Sequence, residues 1–120
     1  MQKFNFDYDS GNDDLFLHSP GSKSKGSVEF GNIIFDFDSQ KRLVGIQLVN
    51  ASKTLQDMVD ENSVDNMKDF LESLNDCRVD IKDNSNMLIV RFLLASKIHE
   101  LKPILSVPKI AEGSAALAYT

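Results

Sequence analysis

The stretch FNFDYDSGNDDLFL, residues 4–17, decides between two unrelated molecules. As a calcium loop it would need a helix on either side. As strand, turn and strand it opens an antiparallel sheet. Counting from Asp7, the aspartates Asp7, Asp9 and Asp13 fall at positions 1, 3 and 7 of an EF-hand loop, but Gly11 stands at 5, Asn12 at 6 where the sharp turn needs glycine, and His18 at 12 where calcium needs a bidentate glutamate. The flanks agree with the second reading. Phe4, Phe6 and Tyr8 alternate with Asn5, Asp7 and Asp9, the period of a strand with one apolar face. Leu15-Phe16-Leu17-His18 supplies the returning strand. The stretch therefore predicts a hairpin, with Gly11 and Asn12 the turn residues that tolerate positive φ.

Working outward, residues 19–26 form a Ser/Gly/Pro/Lys loop, and Ser27-Val28-Glu29-Phe30 alternates again. Gly31-Asn32 is a two-residue turn pair ahead of Ile33-Ile34-Phe35-Asp36-Phe37. A turn at residues 38–42 leads to the apolar run of residues 43–49. Residues 4–49 are thus expected to form a β-meander.

The period then changes. Ser52 is an N-cap candidate ahead of Leu55, Met58 and Val59, and a break at Glu61-Asn62 leads to a second cap candidate, Ser63. Met67, Phe70, Leu71 and Leu74 follow at i, i+3, i+4 and i+7, with Asp65 placed in the first turn where the helix dipole favours an anion. Helices are expected within residues 52–76. Cys77, Val79 and Ile81 alternate with charged residues, a polar turn follows at residues 83–86, and residues 87–94 form the most apolar strand. Pro103 cannot donate to a ladder, so the last segment must be an edge or a bulge. Residues 77–108 are read as a β-hairpin plus an edge strand, and residues 109–120 as a tail. The whole predicts one α+β domain over residues 1–120: an antiparallel β-meander, two central helices packed on one sheet face, then a β-hairpin and a C-terminal edge segment.

Composition narrows the function. The formal net charge is −5, and no basic cluster is larger than a pair such as Lys23/Lys25, which argues against nucleic acid. No apolar run approaches the roughly 18 residues of a membrane span. The start lacks the basic, apolar and cleavage regions of a secretory signal, and the single cysteine fits a reducing interior, so a cytoplasmic protein is expected. The glycines at Gly21 and Gly26 have P-loop spacing, but Ser27 and Val28 follow where Lys and Ser or Thr belong. Cys77, His18 and His99 stand in no nucleophile or zinc pattern, so no catalytic residue and no cofactor is expected.

Acidic chemistry is the remaining possibility. Asp36-Phe37-Asp38 repeats Asp7-Tyr8-Asp9, with both aspartates of each trio on one strand face. Were the two strands neighbours, Asp7, Asp9, Asp36 and Asp38 could share a surface and hold Mg²⁺ or Ca²⁺. The plainer reading is the solvent face of a half-buried sheet.

Three segments carry a resemblance. Residues 8–17, YDSGNDDLFL, resemble the "Y-D-x-x-x-D-x-L-Y-[IL]" opening of a prokaryotic family of small proteins, the domain of unknown function numbered twenty-two eighty-three. Residues 32–38, NIIFDFD, are similar to its "x-I-I-x-D-x-D" strand, and residues 43–52, LVGIQLVNAS, to its "[IV]-V-G-I-E-I-L-x-A-S" ending. Gln47 replaces the usual glutamate, and the usual glycine is missing from the turn at residues 39–42. The resemblance covers residues 4–52, implies a β-meander followed by a helix, transfers no activity, and implies that Asp9 and Asp13 hold a turn. With a sheet whose edges need cover and an apolar strand at residues 87–94, the expectation is a non-enzymatic module that forms a homo-oligomer or binds a small protein partner. The alternative is a weak divalent-cation or small-ligand site on the acidic face.

Overall fold

The computed structural model describes residues 1–59, 64–84 and 86–108. Within them the chain is α+β, mostly antiparallel strands in a curled sheet with two short helices. The strands are β1 (Gln2–Asp9), β2 (Asp14–His18), β3 (Gly26–Phe30), β4 (Ile33–Phe37) and β5 (Leu43–Leu48), then β6 (Asp76–Asp83), β7 (Met87–Ala95), β8 (Glu100–Leu101) and β9 (Ile104–Pro108). The helices are α1 (Ala51–Met58) and α2 (Met67–Glu72). The proposed break at Glu61-Asn62, the Ser63 cap, Ser85 of the β6–β7 turn and the tail at residues 109–120 lie outside the described residues.

The first five strands are not a meander. Their spatial order is β3-β4-β5-β2-β1, so β2 pairs with β5 and not with β3. Strands β2 to β5 thereby take the order of a Greek key. Side-chain periodicity marks strands but is silent on their partners, and here the loop of residues 19–25 carries the chain away from β2. Gly21 in that loop has φ 75, a conformation glycine reaches without a Cβ penalty. Ser19 fastens the near end of the loop: its N–H donates to the Val44 carbonyl at 2.8 Å, and its Oγ accepts from Gln2 at 2.6 Å.

Burial follows the alternation. Phe4 in β1 and Leu15 and Leu17 in β2 are buried, while Asn5, Asp7, Phe16 and His18 face out. In β5, Leu43, Val44, Gly45, Ile46 and Leu48 are all buried. A register shift opposite Asp36/Phe37 inserts Val44 as an extra residue, and such a bulge lets adjacent residues turn inward together. Full burial of each such Leu, Ile or Phe contributes about 1.5–3 kcal/mol relative to exposure. β1 also pairs with β6, joining the first five strands to the β6–β7 hairpin. One cluster of buried side chains runs from Phe4 and Leu48 through Leu55, Phe70 and Leu71 to Val90 and Phe92.

The caps differ from the sequence expectation. α1 begins one residue before Ser52; its N-cap is Asn50, left-handed at φ 52 and without a side-chain cap bond. Asparagine enters this region more readily than most residues. In α2 the cap is Asn66, whose side chain accepts from Asp69 N–H at 3.2 Å. Asp65 precedes the helix, and Asp69 is the acid of the first turn. Pro103 sits between β8 and β9, which both pair with β7, and its carbonyl accepts from Phe92 N–H at 3.0 Å.

Candidate functional site

The first turn is built around Asp9 and Asp13, which do different jobs. Asp9 works locally. Its Oδ1 accepts from Gly11 N–H at 3.0 Å and Asn12 N–H at 3.2 Å, and its Oδ2 accepts from the Asn12 side chain at 2.8 Å. The Asn12 amide leads the bonds that hold its carboxyl below the usual carboxylate range. Gly11 lies inside this turn, but the left-handed residue is Asp13, at φ 56.

Asp13 reaches across the chain. Its carboxylate accepts from Tyr8 Oη at 2.6 Å, from Ser52 Oγ at 2.6 Å and from Ser52 N–H at 3.2 Å, and its own carbonyl accepts from Ala51 N–H at 2.7 Å. Asn50 offers no side-chain cap, so Asp13 accepts from two of the free N–H groups that open α1, those of Ala51 and Ser52, from a turn 39 residues away. Ser52 is therefore a donor to Asp13 and not the cap itself. Burial by itself would raise the Asp13 carboxyl; the bonds from Ser52 and Tyr8, with the charge of Lys68, outweigh it and hold the group below the carboxylate range. The Tyr8 phenol moves the other way, raised first by burial and then by its bond to Asp13 and that anion's charge.

The second Asp-aromatic-Asp trio is self-contained. Asp38 is buried and accepts from Gln40 N–H and Arg42 N–H, each at 2.9 Å, and from Arg42 Nε at 3.0 Å. The Arg42 backbone bond leads the causes that lower its carboxyl. Asp36 accepts from Ser27 Oγ at 2.5 Å and lies over Gly45, where an added Cβ would come within 2.8 Å of Asp36 Oδ2. Only glycine leaves room for that carboxylate.

The four proposed cation ligands are not brought together. The registers Asp36–Gly45, Gly45–His18 and His18–Asn5 put Asp36 on the same outward face as Asn5 and Asp7. Yet β5 and β2 lie between β4 and β1. Three strand spacings separate the trios by about 14 Å, too far for one ion to bridge. Among the described residues no three or more His, Cys, Asp or Glu side chains are grouped to hold a metal.

Other sites offer little chemistry. Cys77 is buried, and burial, then the charge of Asp76, push its thiol up to about 12, so it carries no thiolate near neutral pH. A depression of roughly 610 Å³ is lined by Met58, Val59 and residues 100–104, none of them among the candidate acids. Among the described residues no helix is long and apolar enough to cross a membrane.

Tyr8, Asp9, Asn12 and Asp13 of the opening motif and Ser52 of the closing one are now placed in this network. Residues 5–52 match the family described as Protein of unknown function (DUF2283). The match runs from β1 to Ser52, so it ends on the residue that bonds Asp13. An uncharacterized protein of Methanocaldococcus jannaschii is 43% identical over 51 residues, which cover 42% of this chain and 44% of that protein. The chain thus matches less than half the length of this relative. No solved structure matches the chain. Within the matched segment, the turn alone gives no sign of the Tyr8–Asp13–Ser52 link. The segment held its parts, Tyr8 and Asp13 near one end and Ser52 at the other.

Proposed function

We propose that this protein is a non-enzymatic, cytoplasmic module that self-associates. The observation that carries the reading is the unequal protection of its two sheet ends. At one end β3 pairs only with β4 among the described residues, and Phe30 is 45% exposed on it. At the other, Pro103 precedes β9 and Pro108 ends it, so neither position offers an N–H. An unpaired strand edge with a half-exposed aromatic is a template for a further strand. The motif aspartates Asp9, Asp13 and Asp38 support the same reading, because their carboxylates are committed to turn and helix-capping bonds. The single buried cluster shared by α1, α2 and the strands supports placing both helices over one face of the sheet, leaving the edges as the contact surface.

Light scattering on a sizing column tests the reading. The expected mass is about twice the 13.4 kDa of the chain, with dilution shifting the peak toward the monomer. A mass of 13.4 kDa at every concentration would overturn it.

A further inference from the structure

We infer that two copies join β3 to β3 in antiparallel register about Val28, continuing the sheet across a two-fold axis. The inference rests on the self-association reading and names its interface. It begins with the turn. Gly31 and Asn32 make a two-residue connection, with Phe30 opposite Ile33. In such a hairpin the flanking pair exchanges hydrogen bonds, and bonded and non-bonded pairs then alternate along the ladder. A second bond agrees. Val49 N–H donates to the Asn32 carbonyl, so Ile33 and Leu48 form a non-bonded pair and Ile33 directs its own groups toward β3. Phe30 and Val28 therefore spend their backbone groups on β4. Ser27 and Glu29 point theirs at the open edge.

A copy of the same strand fits that edge. With Val28 on the axis, Ser27 opposes the partner copy's Glu29 as a bonded pair, and the N–H and C=O of both residues are satisfied. Val28 meets its own symmetry mate as a non-bonded pair, the arrangement that brings side chains closest. Phe30 falls opposite Gly26 of the second copy, an aromatic covering a glycine that presents no side chain of its own. Phe30 and Val28 share the face of Phe35 and Ile33, so the join also extends the buried layer. The contact is self-complementary, as a two-fold interface requires.

The test uses the full chain with single substitutions. Cys77 is buried, so an introduced thiol is the accessible one. Val28→Cys is expected to link to its symmetry mate under mild oxidation, seen as a doubled mass on a non-reducing gel and reversed by thiol. Ser27→Cys and Glu29→Cys are expected to link more when mixed than either does alone, because these positions oppose each other and not themselves. Ser27→Pro removes an N–H that β4 does not use, and two symmetric losses of about tenfold each predict a dimer weaker by about a hundredfold. If the wild type self-associates while Val28→Cys stays unlinked and Ser27→Pro leaves the dimer unchanged, this interface is wrong and the broader reading survives. A wild type that is monomeric throughout overturns both.

Discussion

The β1–β2 turn and the β4–β5 turn carry nearly the same sequence, Asp-Tyr-Asp and Asp-Phe-Asp, and the molecule uses them in opposite ways. At β4–β5 the bonds stay home: Asp38 binds Gln40 and Arg42, within four residues of itself. At β1–β2 the local work falls to Asp9, which frees Asp13 to cap a helix 39 residues on. The phenol of Tyr8 completes that site, and the second trio has phenylalanine at the matching position, Phe37. Nearly equal strings thus separate into a closed turn and a long-range lock. The deciding differences are Asp13, where the second turn has Arg42, one hydroxyl, and the position of α1.

The largest effect should come from opening the lock. Asp13→Ala removes an acceptor used by Tyr8 and twice by Ser52, strips α1 of its cap, and leaves a β-carbon at positive φ without the local bonding that aspartate offers. A loss of about 3 kcal/mol is expected, from a charged hydrogen-bond acceptor plus a helix cap. Urea unfolding measures it. Asp38→Ala should cost clearly less, since only one turn loosens and Arg42 is already mostly exposed. Equal losses would mean that the long-range bonds add nothing to the local ones.

Next in size is Gly45→Ala, which tests the packing beside the closed turn. The new Cβ would meet Asp36 Oδ2 at 2.8 Å and Asp36 Cβ at 3.1 Å. The carboxylate can swing, but the strand carrying Cβ must also give. Overpacking of this kind costs about 1–3 kcal/mol. Adding Asp36→Ala should restore part of the loss, and a double-mutant cycle by thermal unfolding reads the coupling. Strictly additive losses would show that the two residues do not press on one another.

These residues mark the limit of what could be read in advance. Alternation at Phe4, Phe6 and Tyr8 located β1, and the change of period after Val49 located α1, because local burial writes itself into side-chain order. Pro103 marked an edge or a bulge for the same local reason, and it falls at the break between β8 and β9. Strand pairing is not local. Nothing in residues 27–30 tells β3 to leave β2, so the meander was expected and the Greek-key order formed. Caps misled in a related way. Ser52 has the right chemistry for an N-cap, but Asn50 takes the position by going left-handed and Asp13 supplies the acceptor from elsewhere. The acidic trios were legible as pairs within a strand. The two strands between them were not.

The lock should also leave a signature in pH. Asp13 is held below the ordinary carboxylate value of 3.8, so its contribution to stability is present above that value and is lost as pH falls through the folded-state value. Asp9 and Asp38 are lowered too, as is Asp80 by the hydrogen bond from the Arg91 guanidinium beside it, and all act with the same sign. Tyr8 acts in reverse. Its phenol is raised above 10.0, so its contribution is complete below pH 10.0 and fades as pH climbs beyond it. Wild type should therefore lose stability on acidification below about pH 4, and Asp13→Asn should flatten part of that slope while leaving the share owed to Asp38. Tyr8→Phe should flatten the alkaline side. An Asp13→Asn curve parallel to wild type through the acid range would place the titrating carboxylates elsewhere.

The smallest expected effect is none at all, and it probes both turns together. A cation bound only by the native protein must raise its melting temperature by mass action. Calcium requires about six to eight oxygens. Asp9 has its carboxylate oxygens committed to Gly11 and Asn12, and Asp38 to Gln40 and Arg42. Asp36 is bonded to Ser27, while Asp7 is exposed across β2 and β5 from it. Drawing an ion between the trios would mean breaking both turns and closing about 14 Å of sheet. Millimolar Ca²⁺ or Mg²⁺ should therefore leave the melting curve where it is. A rise that disappears in Asp7→Asn but persists in Asp36→Asn would place a cation on β1 alone, and the first turn would then have an outward use beyond capping α1.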